Sequence, residues 1–356
     1  MFQFMQVMTE PTEAGRIGTT PRPHCILCGS EGRQMYSEQR DRLFGAEGSW
    51  NLKRCADPDC GLIWLDPMPL PADIGKAYAR YYTHVSRDGM GRKGVLKQIY
   101  EEITSGYFAN KYHYPAGSRP FLRRSLGRLA YLFPIRRRGM DGVVRFLRAK
   151  PEGRLLDVGC GSGDWLALMR GLGWQGVGVD FDENAVKVAR ARGLEVTCGA
   201  LEQQNYPDGS FDALTLSHVI EHVPDPVQTL AECLRILKPG GTLVVLTPNA
   251  SSFSHRRFKQ DWRGLEPPRH LHIFSNQSLA ALLARAGFKR SAVLPHMAGS
   301  VIYESIFLRR GSTSSTAGQP RNRAVRIQSD LLTLVEYCVL KWDSSAADCV
   351  AGVAVK

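Results

Sequence analysis

Three groups of residues in this chain have the types and spacing to do chemistry. The first is Leu155-Leu156-Asp157-Val158-Gly159-Cys160-Gly161-Ser162-Gly163-Asp164, an apolar run entering a glycine-rich turn ahead of a helical pattern. Glycines let a ligand touch the backbone, and the free N–H groups of a helix start then face it. The next apolar run, Gly176-Val177-Gly178-Val179-Asp180, ends in an acid where a ribose diol would sit. Asp157 precedes the glycines, where it can contact the amino-acid end of a bound cofactor. That order separates the turn from the similar one of dinucleotide enzymes.

The second group is His218, Glu221 and His222, in the pattern HxxEH, with Arg269-His270-Leu271-His272 further on. One reading makes a histidine the base that deprotonates an acceptor hydroxyl. Another has Glu221, His222 and a further histidine bind a second divalent metal that acidifies that hydroxyl. A third has Glu221 and His222 only cap the following turn. The third group is Cys25 and Cys28, spaced CxxC, with Cys55 and Cys60, spaced CxxxxC. Two close pairs joined by a longer loop can supply four thiolates to a tetrahedral structural zinc, with His24 as a substitute ligand. Gly29 and Gly61 follow the second cysteine of each pair, as tight knuckle turns require. Cys160, Cys198, Cys233, Cys338 and Cys349 read as packing residues.

The elements that must position these groups follow from the pattern. Residues 1–20 are expected to be disordered. Residues 21–71 form a compact segment rich in Cys, Gly and Pro, expected as a zinc-ribbon-like module. Residues 72–150 read as a helical linker or cap. From 151 to 356 apolar strand runs alternate with helical patterns, the mark of an open α/β sheet with helices on both faces. Residues 311–323 read as a flexible loop, followed by a helix and a last strand, ADCVAGVAVK.

Residues 151–356 resemble class I S-adenosylmethionine-dependent methyltransferases, strongly so up to about residue 310. LLDVGCGSG looks like their first motif and GVGVD their second; SFDALTLSHVIEHVPDP and RILKPGGTLVVLTPN look like the fourth and fifth strands with their turns. The resemblance implies a Rossmann-like fold and places Asp157, Gly159, Cys160 and Gly161 around the methionine part of the cofactor. It puts Asp180 on the ribose, Phe181, Ala200 and Leu201 at the adenine, and Ser217 at the methionine end. Many relatives carry an acid where Ala200 stands, so Glu202 or main chain must substitute. The HxxEH loop is similar to the metal-binding ExxEH of ubiquinone-pathway and small-RNA end methyltransferases, with His218 in place of the first Glu. A bacterial subfamily with cysteines ahead of this domain is similar at YYTH (Tyr81 to His84), EPPRHLHIFS (Glu266 to Ser275) and AGF (Ala286 to Phe288).

Composition sets the partners. Of 356 residues 43% are hydrophobic and 22% charged, ordinary for a globular protein. The best apolar run, Leu331 to Leu340, is too short for a membrane span and contains Glu336. No secretion-signal pattern opens the chain, so a cytoplasmic location is expected. The net charge of +12 concentrates between Arg119 and Arg154, where Phe121, Leu122, Leu126, Leu129, Leu132 and Phe133 interleave with arginines. That suits an amphipathic helix docking its apolar side on the protein, or lying on a membrane as a peripheral contact. The expected acceptor is a small molecule, glycan or lipid-linked precursor, methylated on oxygen. The alternative is a nucleic acid, RNA above all, gripped by the cysteine module and arginines; no (N/D)PPY or Pro-Cys catalytic motif supports it.

Overall fold

The computed structural model describes residues 16–79, 94–311 and 322–356. The YYTH motif lies outside them, as does most of the loop expected at 311–323. Thr19–Thr20 (β1) opens the described chain, followed by Gly32–Gln39 (β2), Trp50–Cys55 (β3), Ile63–Leu65 (β4) and Met68–Pro69 (β5). Residues 16–20 are therefore not part of a disordered tail. β1 pairs antiparallel with β5, and the Gly18 N–H donates to Asp73 at 2.7 Å. A 3-10 turn over Pro71–Tyr78 follows.

Val95–Lys111 (α1), Pro120–Gly127 (α2) and Pro134–Val143 (α3) form the helical cap. Gly106 and Gly127 let α1 and α2 touch backbone to backbone. A Cβ on Gly106 would lie 1.8 Å from the Arg123 carbonyl oxygen, and one on Gly127 would lie 2.2 Å from the Gly106 carbonyl carbon. Asp141 on α3 ties the cap together by accepting from Tyr107, Tyr112 and Lys111 at 2.6–2.8 Å. Burial and that carboxylate raise the pKa of both phenols.

The remainder alternates as its pattern predicts: Arg154–Val158 (β6), Asp164–Gly171 (α4), Gln175–Asp180 (β7), Glu183–Ala191 (α5), Glu195–Cys198 (β8), Phe211–Ser217 (β9), Pro226–Ile236 (α6) and Leu237–Pro248 (β10). Phe253–Phe258 (α7), His272–Ile273 (β11), Asn276–Arg285 (α8), Arg290–His296 (β12), Ser300–Arg309 (α9), Arg323–Val339 (α10) and Cys349–Val355 (β13) complete it. Seven strands make one sheet in the order β12-β13-β10-β9-β6-β7-β8. Neighbours from β8 to β10 run parallel, and β13 is antiparallel to both β10 and β12. The order reverses beside β6, so the carboxyl ends of β6, β7 and β9 open onto a crevice, the place where such sheets bind ligands.

The cysteine segment is not a free-standing module. Its sheet runs β11-β4-β3-β2, and β11 comes from the α/β part of the chain. One apolar core runs through both, from Trp64 and Leu65 to Leu271, Phe274 and Leu279. Buried Arg269 adds a bidentate pair with Asp41 at 2.7 and 2.9 Å and donates to the Ala77 carbonyl. The cysteine segment, the 3-10 turn over Pro71–Tyr78 and the loop before β11 meet on this one guanidinium.

Candidate active site

The glycine turn sits where the sequence places it, between β6 and α4. The Gly161 N–H donates to Asp180 Oδ2 at 2.7 Å, and the Asp182 N–H to Oδ1 at 2.9 Å. A Cβ on Gly161 would meet nothing within 4 Å, so the turn faces open space. Burial raises the Asp180 pKa, opposed by these two N–H groups. Phe181 stands beside it, 56% exposed. Cys160 points its sulfur inward against Gly178, leaving its main chain to the crevice.

Asp157 is fully buried. Arg145 and Thr215 donate to its Oδ1, and its Oδ2 has no partner. Burial pushes the Asp157 pKa up and that of Arg145 down, while their contact opposes both shifts. Arg145 lies 3.7 Å over the Trp165 ring and takes positive φ. Nothing in the local pattern of the sequence marks it, because its partners are distant in the chain. Leu201 is buried, Ala200 exposed, and Ser217 half-buried at the end of β9. Glu202 is engaged by the Thr229 hydroxyl at 2.6 Å, on α6. The Ala200 N–H donates to Gln203 Oε1 at 3.2 Å, and its carbonyl accepts from Gln204 Nε2 at 3.0 Å. An orphan carboxylate oxygen, an open glycine turn and an exposed aromatic fit S-adenosylmethionine.

The second group assembles in part. Ligand atoms of Glu221, His222 and His270 lie within 4.8 Å of one another. The Leu271 and His272 N–H groups donate to the Glu221 carbonyl, which binds the two loops together. His222 Nδ1 lies 3.0 Å from the Arg269 carbonyl and His270 Nδ1 lies 2.8 Å from that of Gly264. A carbonyl only accepts, so both Nδ1 atoms carry hydrogen and both Nε2 atoms keep a lone pair. Oε2 of buried Glu221 lacks a hydrogen-bond partner, while Oε1 faces His218 Nδ1. Burial works against its ionisation, yet His218 and the other imidazoles hold its pKa at about 2. Burial lowers the His270 pKa to about 4. A carboxylate and two imidazoles pinned by carbonyls are a set that could hold a metal ion.

His218 is the solvent-facing member. Its side chain is 44% exposed, with Nδ1 3.3 Å from Glu221 Oε1. His272 is not part of the cluster. It is buried on β11 beside Phe274, opposite Trp64 of β4. Tyr78, which the sequence did not single out, closes the site from the N-terminal side. Its hydroxyl lies 2.9 Å from His222 Nδ1, and its ring meets Phe181 edge-on at 5.0 Å.

Cys25, Cys28, Cys55 and Cys60 form the other ligand cluster among the described residues. Cys25 and Cys60 sulfurs are 3.7 Å apart, and those of Cys28 and Cys55 3.3 Å. Sulfurs on a tetrahedral zinc stand about 3.8 Å apart, so the four fit that ion. A hydrogen bond from Cys60 holds the Cys25 thiol down to about 5. His24 pairs by backbone with Glu31 and is not in the cluster. Of the cysteines read as packing residues, Cys198 and Cys338 are exposed, since both fall on the outward side of their elements. A separate cavity of about 430 Å3 lies between the cysteine segment and α7, lined in part by Tyr36, Arg54, His255 and Lys259.

A reversing parallel sheet with one antiparallel strand, a glycine turn and an acid ending the next strand define a class I S-adenosylmethionine-dependent methyltransferase domain. Residues 131–292 match a family model described as a methyltransferase domain. A Mycolicibacterium smegmatis protein named "Probable S-adenosylmethionine-dependent methyltransferase" is 35% identical over 150 residues, covering 41% of this chain and 56% of that one. A ubiquinone biosynthesis O-methyltransferase of Xanthomonas campestris pv. campestris is 43% identical over 108 residues, 28% of this chain and 45% of the other. The chain spans about half the length of these curated relatives. A crystal structure of an S-adenosylmethionine-dependent methyltransferase from Mesorhizobium loti is 18% identical with a TM-score of 0.44, covering 62% of this chain and 98% of that one.

Proposed function

We propose that the protein methylates a hydroxyl of a small-molecule, glycan or lipid-linked acceptor, with Glu221, His222 and His270 holding a divalent cation beside it. One observation carries this reading: a buried carboxylate, its Oε2 without a hydrogen-bond partner and its Oε1 met by His218 alone, stands with two imidazoles whose Nδ1 atoms are pinned to carbonyls. Relatives named O-methyltransferases support oxygen as the acceptor atom. Bound S-adenosylmethionine supplies an already activated methyl group, and a bound divalent cation lowers the pKa of a hydroxyl.

The chain's own residues do the rest. The glycine turn and Asp180 hold the cofactor, and Arg145 keeps the Asp157 carboxylate aimed at the turn. Tyr78 and Phe181 cover the crevice and exclude water. His218, exposed and next to Glu221, takes the acceptor proton on Nε2 and returns it to solvent. Alignment of nucleophile and methyl group supplies most of the acceleration. The test is manganese binding read by electron paramagnetic resonance. One bound Mn2+ is expected in the parent, and none in Glu221→Gln or His270→Ala, with cofactor affinity retained in all three. Undiminished Mn2+ binding in both variants would sink the metal assignment.

A further inference from the structure

We propose that the face built by residues 119–138 docks on an anionic lipid surface, a property independent of the methyl-transfer reading. Of the interleaved apolar residues Leu126 alone is half-buried and the others face outward, correcting the docked-helix expectation. Phe121 is 85% exposed, Leu132 70%, Phe133 57% and Tyr131 53%. Leu122 and Leu129 are exposed with them. Single exposed apolar residues are unremarked on any surface, but this many large ones in thirteen residues mark an interaction site.

The fold presents this face firmly. The backbone contact of Gly106 with Gly127 fixes α2 on α1, so the far side of α2 has nowhere to go but outward. Tyr131 is held between Tyr107, 5.8 Å away, and the Arg137 guanidinium at 4.9 Å. α10 abuts the same region, since the Arg138 guanidinium lies 5.7 Å over the Tyr337 ring, and its own outward face exposes Ile327, Leu331 and Leu334.

Charge decides the occupant. Between Arg119 and Met140 there are seven arginines and no acid. Arg123 is engaged by Glu102, while Arg119, Arg124, Arg128 and Arg136 are exposed. A second copy docked about a two-fold axis would set this cationic face against itself. A nucleic acid would use the arginines and stack on aromatics, but leave Leu122 and Leu132 in water. An anionic membrane uses both: apolar side chains enter the acyl boundary and arginines meet headgroups.

The experiment is co-sedimentation of the full chain with vesicles of phosphatidylcholine alone, or of phosphatidylcholine and phosphatidylglycerol in equal parts. Binding to the anionic vesicles, weakened by salt, is expected, with little to the neutral ones. The double variant Phe121→Ser/Leu132→Ser should lose about tenfold or more of that binding. Arg124→Gln/Arg128→Gln/Arg136→Gln should lose on the order of a hundredfold. Both should keep the parent's circular dichroism and cofactor affinity, because every altered side chain is exposed. No binding to anionic vesicles at low salt would overturn the proposal, as would binding that neither variant weakens. So would a dimer in light scattering that the Phe121→Ser/Leu132→Ser variant makes monomeric, or RNA binding without vesicle binding.

Discussion

Asp180 receives two backbone N–H groups and keeps free lone pairs toward the crevice. Asp180→Ala should weaken S-adenosylmethionine binding by roughly 1–3 kcal/mol, the loss of charge-assisted hydrogen bonds to the ribose. Calorimetry giving equal affinities would remove Asp180 from the site. This residue was legible in the sequence, because an apolar strand ending in an acid is a local pattern. The glycine turn was legible for the same reason. Arg145 and Tyr78 were not. Arg145 lies 12 residues from Asp157 and Tyr78 lies 144 from His222, and neither spacing leaves a periodic trace. His272 shows the opposite failure. It reads as a partner of His270 at two residues' spacing, but β11 pairing with β4 takes it into the module core.

The cysteine segment tests the account at the scale of an element. Four sulfurs with zinc-like spacing are held on two turns and the end of β3. One zinc per chain is expected on metal analysis of protein purified without added metal. Cys60→Ser should release it and lower the denaturation midpoint, since metal binding energy is folding energy. A metal-free chain with an unchanged midpoint would refute the zinc site. The spacing announced the cluster, and the positive φ of Gly29 and Gly61 follows from the same knuckle turns. What spacing could not announce is that β11 completes the sheet, because a two-residue strand carries no pattern. The amphipathic reading of residues 119–138 shared that limit. Periodicity identifies an apolar face but not whether anything covers it.

Across the whole molecule, Arg269 joins the cysteine segment and the 3-10 turn over Pro71–Tyr78 to the loop before β11 while fully buried. Asp41→Ala would leave that guanidinium short of a partner in the core. Loss of a buried partner costs about 3–5 kcal/mol, so the denaturation midpoint should fall sharply. A midpoint equal to the parent's would show that the segment docks by apolar contact alone. No helix among the described residues is long and apolar enough to cross a membrane.

The reaction itself unites these parts. The most direct test incubates the protein with methyl-labelled S-adenosylmethionine, magnesium or manganese, and a small-molecule extract, then reads labelled products by mass. The account predicts a labelled product whose new methyl ether survives mild base. It also predicts that Glu221→Gln, by losing the cation, loses about 10²–10⁴ in rate while binding the cofactor as tightly as the parent. Full transfer by Glu221→Gln, or label carried on nitrogen or carbon, would contradict it.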